Sequence, residues 1–132
     1  MARHNEIGRI GEDIAVRWLK SRNFSIIEQN YNRKWGELDI VARGTDKKVH
    51  FVEVKSVSYE TKYDLQRAVS HGTYRPEENV HRDKRDRLKR AIQTWLLENK
   101  YEGEWQIDII TVRMVPREKF AQVKMLDNVI FE

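Results

Sequence analysis

Gly36-Glu37-Leu38-Asp39-Ile40-Val41-Ala42 and, beyond a short polar interval, Phe51-Val52-Glu53-Val54-Lys55 decide how this chain folds. Leu38, Ile40 and Ala42 alternate with Glu37, Asp39 and Val41, and Val52 and Val54 alternate with Phe51, Glu53 and Lys55, so each stretch reads as a strand. Gly44-Thr45-Asp46 between them reads as the turn of a hairpin. Pairing Leu38 with Val54 and Ile40 with Val52 sets apolar side chains against one another, and a slip of one residue would exchange the faces. The same register places Asp39 opposite Glu53 and Glu37 opposite Lys55, about 5 Å apart at their Cβ atoms. Acids and a lysine are therefore expected together on one face.

Upstream, Ile7, Ile10, Ile14, Trp18 and Leu19 recur at spacings of three and four, which predicts a helix from about Asn5 to Arg22 with these residues as its buried stripe. Asn23 can take the left-handed conformation that ends a helix, and Phe24 to Tyr31 suits a strand. Downstream, Ser58 to Asn79 keeps no sustained period and includes His71-Gly72 and Arg75-Pro76. It reads as a connection able to cover a site, with one helical turn near Asp64 to Val69. A second long helix is expected from about Pro76, burying Leu88, Ala91, Ile92, Trp95 and Leu96, with Gly103 after its end. Trp105 to Val112 alternates as a strand, and a helical crossover of this length lays it parallel to the preceding one. Beyond Pro116, Val123, Met125, Leu126, Val129, Ile130 and Phe131 suit either a closing strand or a docked segment. The expected order is α-β-β-β-α-β, an α/β fold with a mixed central sheet flanked by helices.

The 132 residues fit one domain, 1–132, with a single core. Lysine and arginine number 25 against 21 acids, a net charge of +4, which leans toward a phosphate-bearing partner. With no cysteine, disulfide frameworks, zinc-thiolate sites and thiol nucleophiles are excluded, and a reducing cytoplasm is the expected location. Any metal must sit on oxygen or imidazole. No apolar run approaches the roughly 18 residues that span a bilayer, and Met1 to Glu6 carries charge instead of a signal-peptide core, so no membrane partner is expected.

Opposed acids in a sheet repel unless a cation lies between them or water screens both. Magnesium prefers carboxylate oxygens and commonly uses one or two protein acids together with substrate phosphates. Lys55, two residues after Glu53 and on the same face, is placed to activate water or to stabilise charge developing on a phosphorane. The plainer alternative is a solvated sheet face on which Glu37 pairs with Lys55, and alternation alone leaves both open. His4, His50, His71 and His81 show no metal spacing and read as structural or solvated, with His71 a minor candidate in the connection. Trp18 and Trp95 fall on apolar stripes, whereas Trp35 beside Gly36 is a candidate for exposure near a substrate.

The two opening stretches together resemble the PD-(D/E)XK signature of restriction-endonuclease-like nucleases. More narrowly, they resemble the YraN-like family of small bacterial proteins, predicted nucleases related to archaeal Holliday-junction resolvases. The likeness extends to Gly8-Arg9-Ile10-Gly11-Glu12-Asp13-Ile14-Ala15 and to Lys84 with Leu88 and Ala91, so it covers most of the chain through Val112. It implies a restriction-endonuclease-like core and a nuclease acting on DNA, with branched or otherwise unusual structures among its substrates and Mg2+ or Mn2+ as cofactor. Asp39 matches the metal-binding aspartate, Glu53 the second carboxylate and Lys55 the lysine that assists the attacking water. The Val54 backbone carbonyl would be a further oxygen ligand. Glu12 matches a helix-borne acid that some of these nucleases add to the site, and Lys84 a basic position of the YraN-like pattern. Such sequences often follow the lysine with Thr-Arg; here Ser56-Val57 follow, so a phosphate contact from that arginine is not available.

Glu12 has a plainer reading as a helix-dipole or solubility residue. Gly8 and Gly11 imply either a close backbone approach or a helix that begins later. From His81 to Arg90, the cations Arg82, Lys84, Arg85, Arg87, Lys89 and Arg90 outnumber Asp83 and Asp86. Arg82, Lys84 and Arg85 are the named candidates for contact with nucleic-acid phosphates; the alternative is a solvated helix with charges paired along it. The expected activity is thus a metal-dependent endonuclease with Glu12, Asp39, Glu53 and Lys55 as catalytic residues. A non-catalytic nucleic-acid-binding module on the same fold is the alternative, a protein-interaction domain a third, and monomer and homodimer are both open.

Overall fold

The computed structural model describes residues 2–71 and 82–130, with side chains described from 6 to 70 and from 84 to 130. Helix α1 (Ala2–Ser21) leads into strands β1 (Ser25–Arg33), β2 (Gly36–Arg43) and β3 (Val49–Ser58). Helices α2 (Lys62–His71) and α3 (Arg82–Glu98) follow, then β4 (Trp105–Val115), a 3-10 turn (Pro116–Glu118) and β5 (Phe120–Leu126). The strands form one five-stranded sheet in chain order. Only β3 and β4 run parallel; the other neighbours are antiparallel. This is the mixed α/β arrangement expected from the sequence, with two refinements. The single helical turn near Asp64 is a ten-residue helix, α2, and the tail closes as strand β5 against β4. The expected helix start at Pro76 lies outside the described residues, as do the side chains of His4, His71, His81 and Arg82.

Two apolar layers cover the two faces of the sheet. On one, Leu88, Ala91, Ile92 and Trp95 of α3 pack on Tyr31, Val41, Phe51 and Ile107. Phe51 and Trp95 meet edge to face, with centroids 5.4 Å apart. On the other, Ala15, Val16 and Leu19 of α1 pack on Ile40, Val52, Ile110 and Val112. Each fully buried aliphatic or aromatic side chain contributes about 1.5–3 kcal/mol. The stripe of α1 includes Leu19 as expected, with Ile7, Ile14 and Trp18 packed against the layer, but it is rotated away from Ile10, which is 40% exposed, toward Ala15 and Val16. Gly11 explains the rotation: a Cβ there would collide with the Ser56 side chain, so the helix rides close on β3. The close-approach reading of Gly11 therefore holds, and α1 begins earlier than expected, not later. Asn23 ends the helix with φ 68°.

The β2–β3 ladder runs from Arg43↔Val49 to Ile40↔Val52 and stops. The expected Leu38–Val54 pair is not formed, nor is the direct opposition of Asp39 to Glu53 and of Glu37 to Lys55. The cause is local. The Val54 N–H donates instead to Asp39 Oδ2 at 2.9 Å, so a side-chain carboxylate stands where a backbone carbonyl would continue the ladder. Strict alternation breaks at the same point, since Leu38 packs in the α3 layer and Ile40 in the α1 layer.

Candidate active site

The site forms where β2 and β3 part. Glu53 is buried, 4% exposed, at the centre of the sheet, and Ile109 on β4 is its register partner. Phe51, two residues earlier, packs under α3. Alternation therefore points Glu53 and Lys55 to that same side of the sheet. There Lys84, in the first turn of α3, brings its Nζ to 3.4 Å from Glu53 Oε1. Gly36 permits the close seating of α3 on the start of β2, because a Cβ at this position would strike the Arg87 carbonyl oxygen.

The electrostatics follow from the burial. Burial, then the Asp39 carboxylate, push the Glu53 carboxyl up to about 8 against the two lysines. Burial likewise raises Asp39, although the Val54 N–H and Lys84 oppose it. Glu12 is pushed up to about 7, by burial first and then by Asp39, Glu37 and Asp13. The Lys55 ammonium is drawn down to about 8 by burial and by its hydrogen bond to Lys84. Burial also works against the Lys84 charge, but its bond to Lys55 and the carboxylates of Glu53 and Asp39 hold it above the ordinary lysine value.

The structure thus gathers Asp39, Glu53, Lys55 and Lys84, with Glu12 and Glu37 within Coulombic reach of Asp39. The reading of this face as freely solvated fails at Glu53. Lys84 lies against the acids with its side chain still 47% exposed, and Arg85, next in sequence, is half-buried. Arg87, Lys89 and Arg90 are further exposed cations of α3. Trp35 is 42% exposed, as expected, with its indole N–H donating to Thr94 Oγ1 at 3.0 Å.

Among the described residues, no group of three or more His, Asp or Glu is close enough to hold a metal ion, so Glu12 does not complete a three-carboxylate cluster. The donors that remain are all hard oxygens: the carboxylates of Asp39 and Glu53 and the carbonyl of Val54. A strand residue presents N–H and C=O to the same side, so that carbonyl faces the gap where the Val54 N–H meets Asp39. A buried carboxylate whose cost of ionising is raised by a half-buried neighbour, beside a backbone oxygen, suits a magnesium-type ion with few protein ligands.

Fold and site define a small mixed α/β protein with a carboxylate–lysine centre at the opening of its central strands. Residues 11–112 match the description "Uncharacterised protein family UPF0102". The chain belongs to that family. It is 34% identical over 123 residues to a UPF0102 protein of Campylobacter fetus, covering 92% of this chain and 90% of the relative. A UPF0102 protein of Campylobacter lari is 30% identical over 121 residues, with the same coverage of 92% and 90%. One of Campylobacter jejuni is 31% identical over 106 residues, 80% of this chain and 82% of the relative. Among the described residues no helix is long and apolar enough to cross a membrane.

Proposed function

We propose that this chain is a metal-dependent endonuclease of the restriction-endonuclease-like type. It hydrolyses phosphodiester bonds in DNA, with branched DNA among its substrates. The observation that carries this reading is the geometry at the parting of the strands: Glu53 buried with Lys84 Nζ at 3.4 Å, and Asp39 accepting from the adjacent Val54 N–H at 2.9 Å, so that carboxylates and lysines share one desolvated place. Such a set has little value as a stabilising cluster, because the desolvation of buried charges exceeds what imperfect pairing returns. It has clear value as a site.

Asp39, Glu53 and the Val54 carbonyl would hold Mg2+ or Mn2+, which supplies Lewis-acid stabilisation of charge on a phosphoryl oxygen. Lys55 has a proton affinity near neutrality, so its amine can take a proton from the attacking water. Lys84, held above its ordinary value, stays an ammonium and offsets negative charge growing on the phosphorane. The exposed Arg87, Lys89 and Arg90 supply positive charge for the flanking backbone.

The test is cleavage of end-labelled duplex, single-stranded and four-way DNA with Mg2+ or Mn2+, against a chelator control. Glu53→Ala and Lys55→Ala should each slow cleavage by about 10²-fold or more, the usual contribution of a positioned acid or base. Cleavage surviving both substitutions rejects the site. Salt-sensitive binding without cleavage in either metal selects the non-catalytic binding module.

A further inference from the structure

Arg113 of β4 is 6% exposed, yet among the described residues no carboxylate pairs with it and its Nε has no hydrogen-bond partner. The hydroxyl of Tyr59, one residue beyond β3, is buried and unpartnered in the same way. The parallel register brings the two together. Val57 is the partner of Arg113, and the Tyr59 N–H continues the ladder by donating to the Met114 carbonyl at 2.8 Å. Tyr59 is therefore one diagonal step from Arg113, on the order of 7–8 Å between Cα atoms. Both stand at the carboxyl ends of the parallel strands, where α/β sheets commonly bind their ligands.

The face is that of the site. Val112 and Met114 pack in the α1 layer, so Arg113 points to the opposite side. Thr111, two residues before it on that side, is the register partner of Lys55. A guanidinium withdrawn from water without a counter-ion costs several kcal/mol, and breaking a buried pair by removing one member shows the same penalty. Its five fixed donors match a phosphate, and a phenol hydroxyl adds a further one.

We propose that Arg113 and Tyr59 form a phosphate-binding subsite that takes the backbone phosphate next to the one cleaved. This rests on the nuclease reading and extends it to how the strand is held in register with Lys55.

The test compares wild type with Arg113→Met, Arg113→Lys and Tyr59→Phe, using fluorescently labelled duplex and four-way DNA in chelator. For Arg113→Met, the plot of log affinity against log salt should flatten by about 0.9, the slope of one phosphate contact. Its melting temperature should not fall, because an unpaired buried charge has been removed. Arg113→Lys should keep the slope, and Tyr59→Phe should weaken binding about 10- to 100-fold, one hydrogen bond to a charged group, with the slope unchanged. An unchanged slope in Arg113→Met, or a lower melting temperature without a change in slope, would overturn the subsite. If wild type binds no DNA, the nuclease reading fails, and inorganic phosphate decides the subsite separately. Phosphate that raises the melting temperature of wild type but not of Arg113→Met sustains it. An equal effect on both, or none on either, removes it.

Discussion

Near the start of β3 the imidazole of His50 lies buried between two carboxylates, and at the middle of the same strand Glu53 lies buried beside a second carboxylate and two lysines. The first cluster is closed. His50 Nδ1 is 2.6 Å from Asp108 Oδ2, and its Nε2 is 3.1 Å from Asp46. The remaining oxygen of Asp108 accepts from Gln106 at 2.8 Å and from the Asn128 N–H at 2.9 Å. Burial works against the imidazolium, but the two carboxylates outweigh it and raise His50 above its ordinary value. Asp46 is lowered in turn, the Lys48 N–H and His50 outweighing burial. His50 and Asp46 each stabilise the charged form of the other. Around Glu53 the carboxyls of Glu53, Asp39 and Glu12 all move toward the neutral form. One strand thus carries a complete structural network and an incomplete one, and incompleteness is what a binding site requires.

The contrast breaks most easily at Asp108, which is fully buried. Asp108→Ala strands a buried imidazole and two donors, and should cost about 3–5 kcal/mol in urea unfolding; a loss below about 1 kcal/mol would mean the network is ornamental. The next effect is a gain. Mg2+ at a hundredfold excess over its dissociation constant should stabilise wild type by about 2.7 kcal/mol, while Glu53→Gln should show no response to the ion in a thermal melt. An equal response in both would place the ion elsewhere.

The pH dependence sharpens the same comparison in chelator. Glu53 titrates from an ordinary 4.5 up to about 8 in the folded chain. The folded state therefore binds the extra proton, and stability falls as pH rises from about 4.5 to about 8. His50, also raised, contributes stability that is present below its ordinary 6.5 and lost as pH rises through its folded value. Glu53→Gln should match wild type near pH 4.5 and exceed it at pH 8 by about 1.4 kcal/mol or more, the worth of one pKa unit. A constant offset across that range would show that Glu53 does not titrate as placed.

The strands around Asp39 and Glu53 were legible because a period of two survives in the chain and the apolar positions fix which face is buried. The convergence of Asp39, Glu53 and Lys55 followed from that parity. The break at Asp39 did not, since a carboxylate replacing a backbone acceptor leaves no mark in an alternating pattern. Contacts between distant positions were equally hidden. His50 carried no metal spacing because its partner Asp108 lies two elements away on β4, and the cation absent at Val57 is met across the ladder by Arg113. A basic run suggested phosphate contact for Lys84, and what the run could not show is the ion pair that Lys84 makes with Glu53. Composition reports charge and does not report direction.

Glu12 gives the smallest effect and divides the two regions most finely. It sits near the middle of α1, well past the first turn to which the helix dipole is confined, so the dipole does not account for it. Asp39 and Glu37 both act on its carboxyl, which is pushed up to about 7. Glu12→Gln keeps the size and removes that repulsion, so stability in chelator should not fall and should rise modestly above wild type at about pH 7 and higher, where the raised carboxyl is being ionised. Cleavage should nonetheless fall about 10-fold, the usual loss when a group that orients a metal site is removed. A residue that serves only solubility would leave both quantities unchanged. A loss of stability matching that of Asp108→Ala would instead make Glu12 part of the framework, and the cluster around Glu53 would then be structural as well.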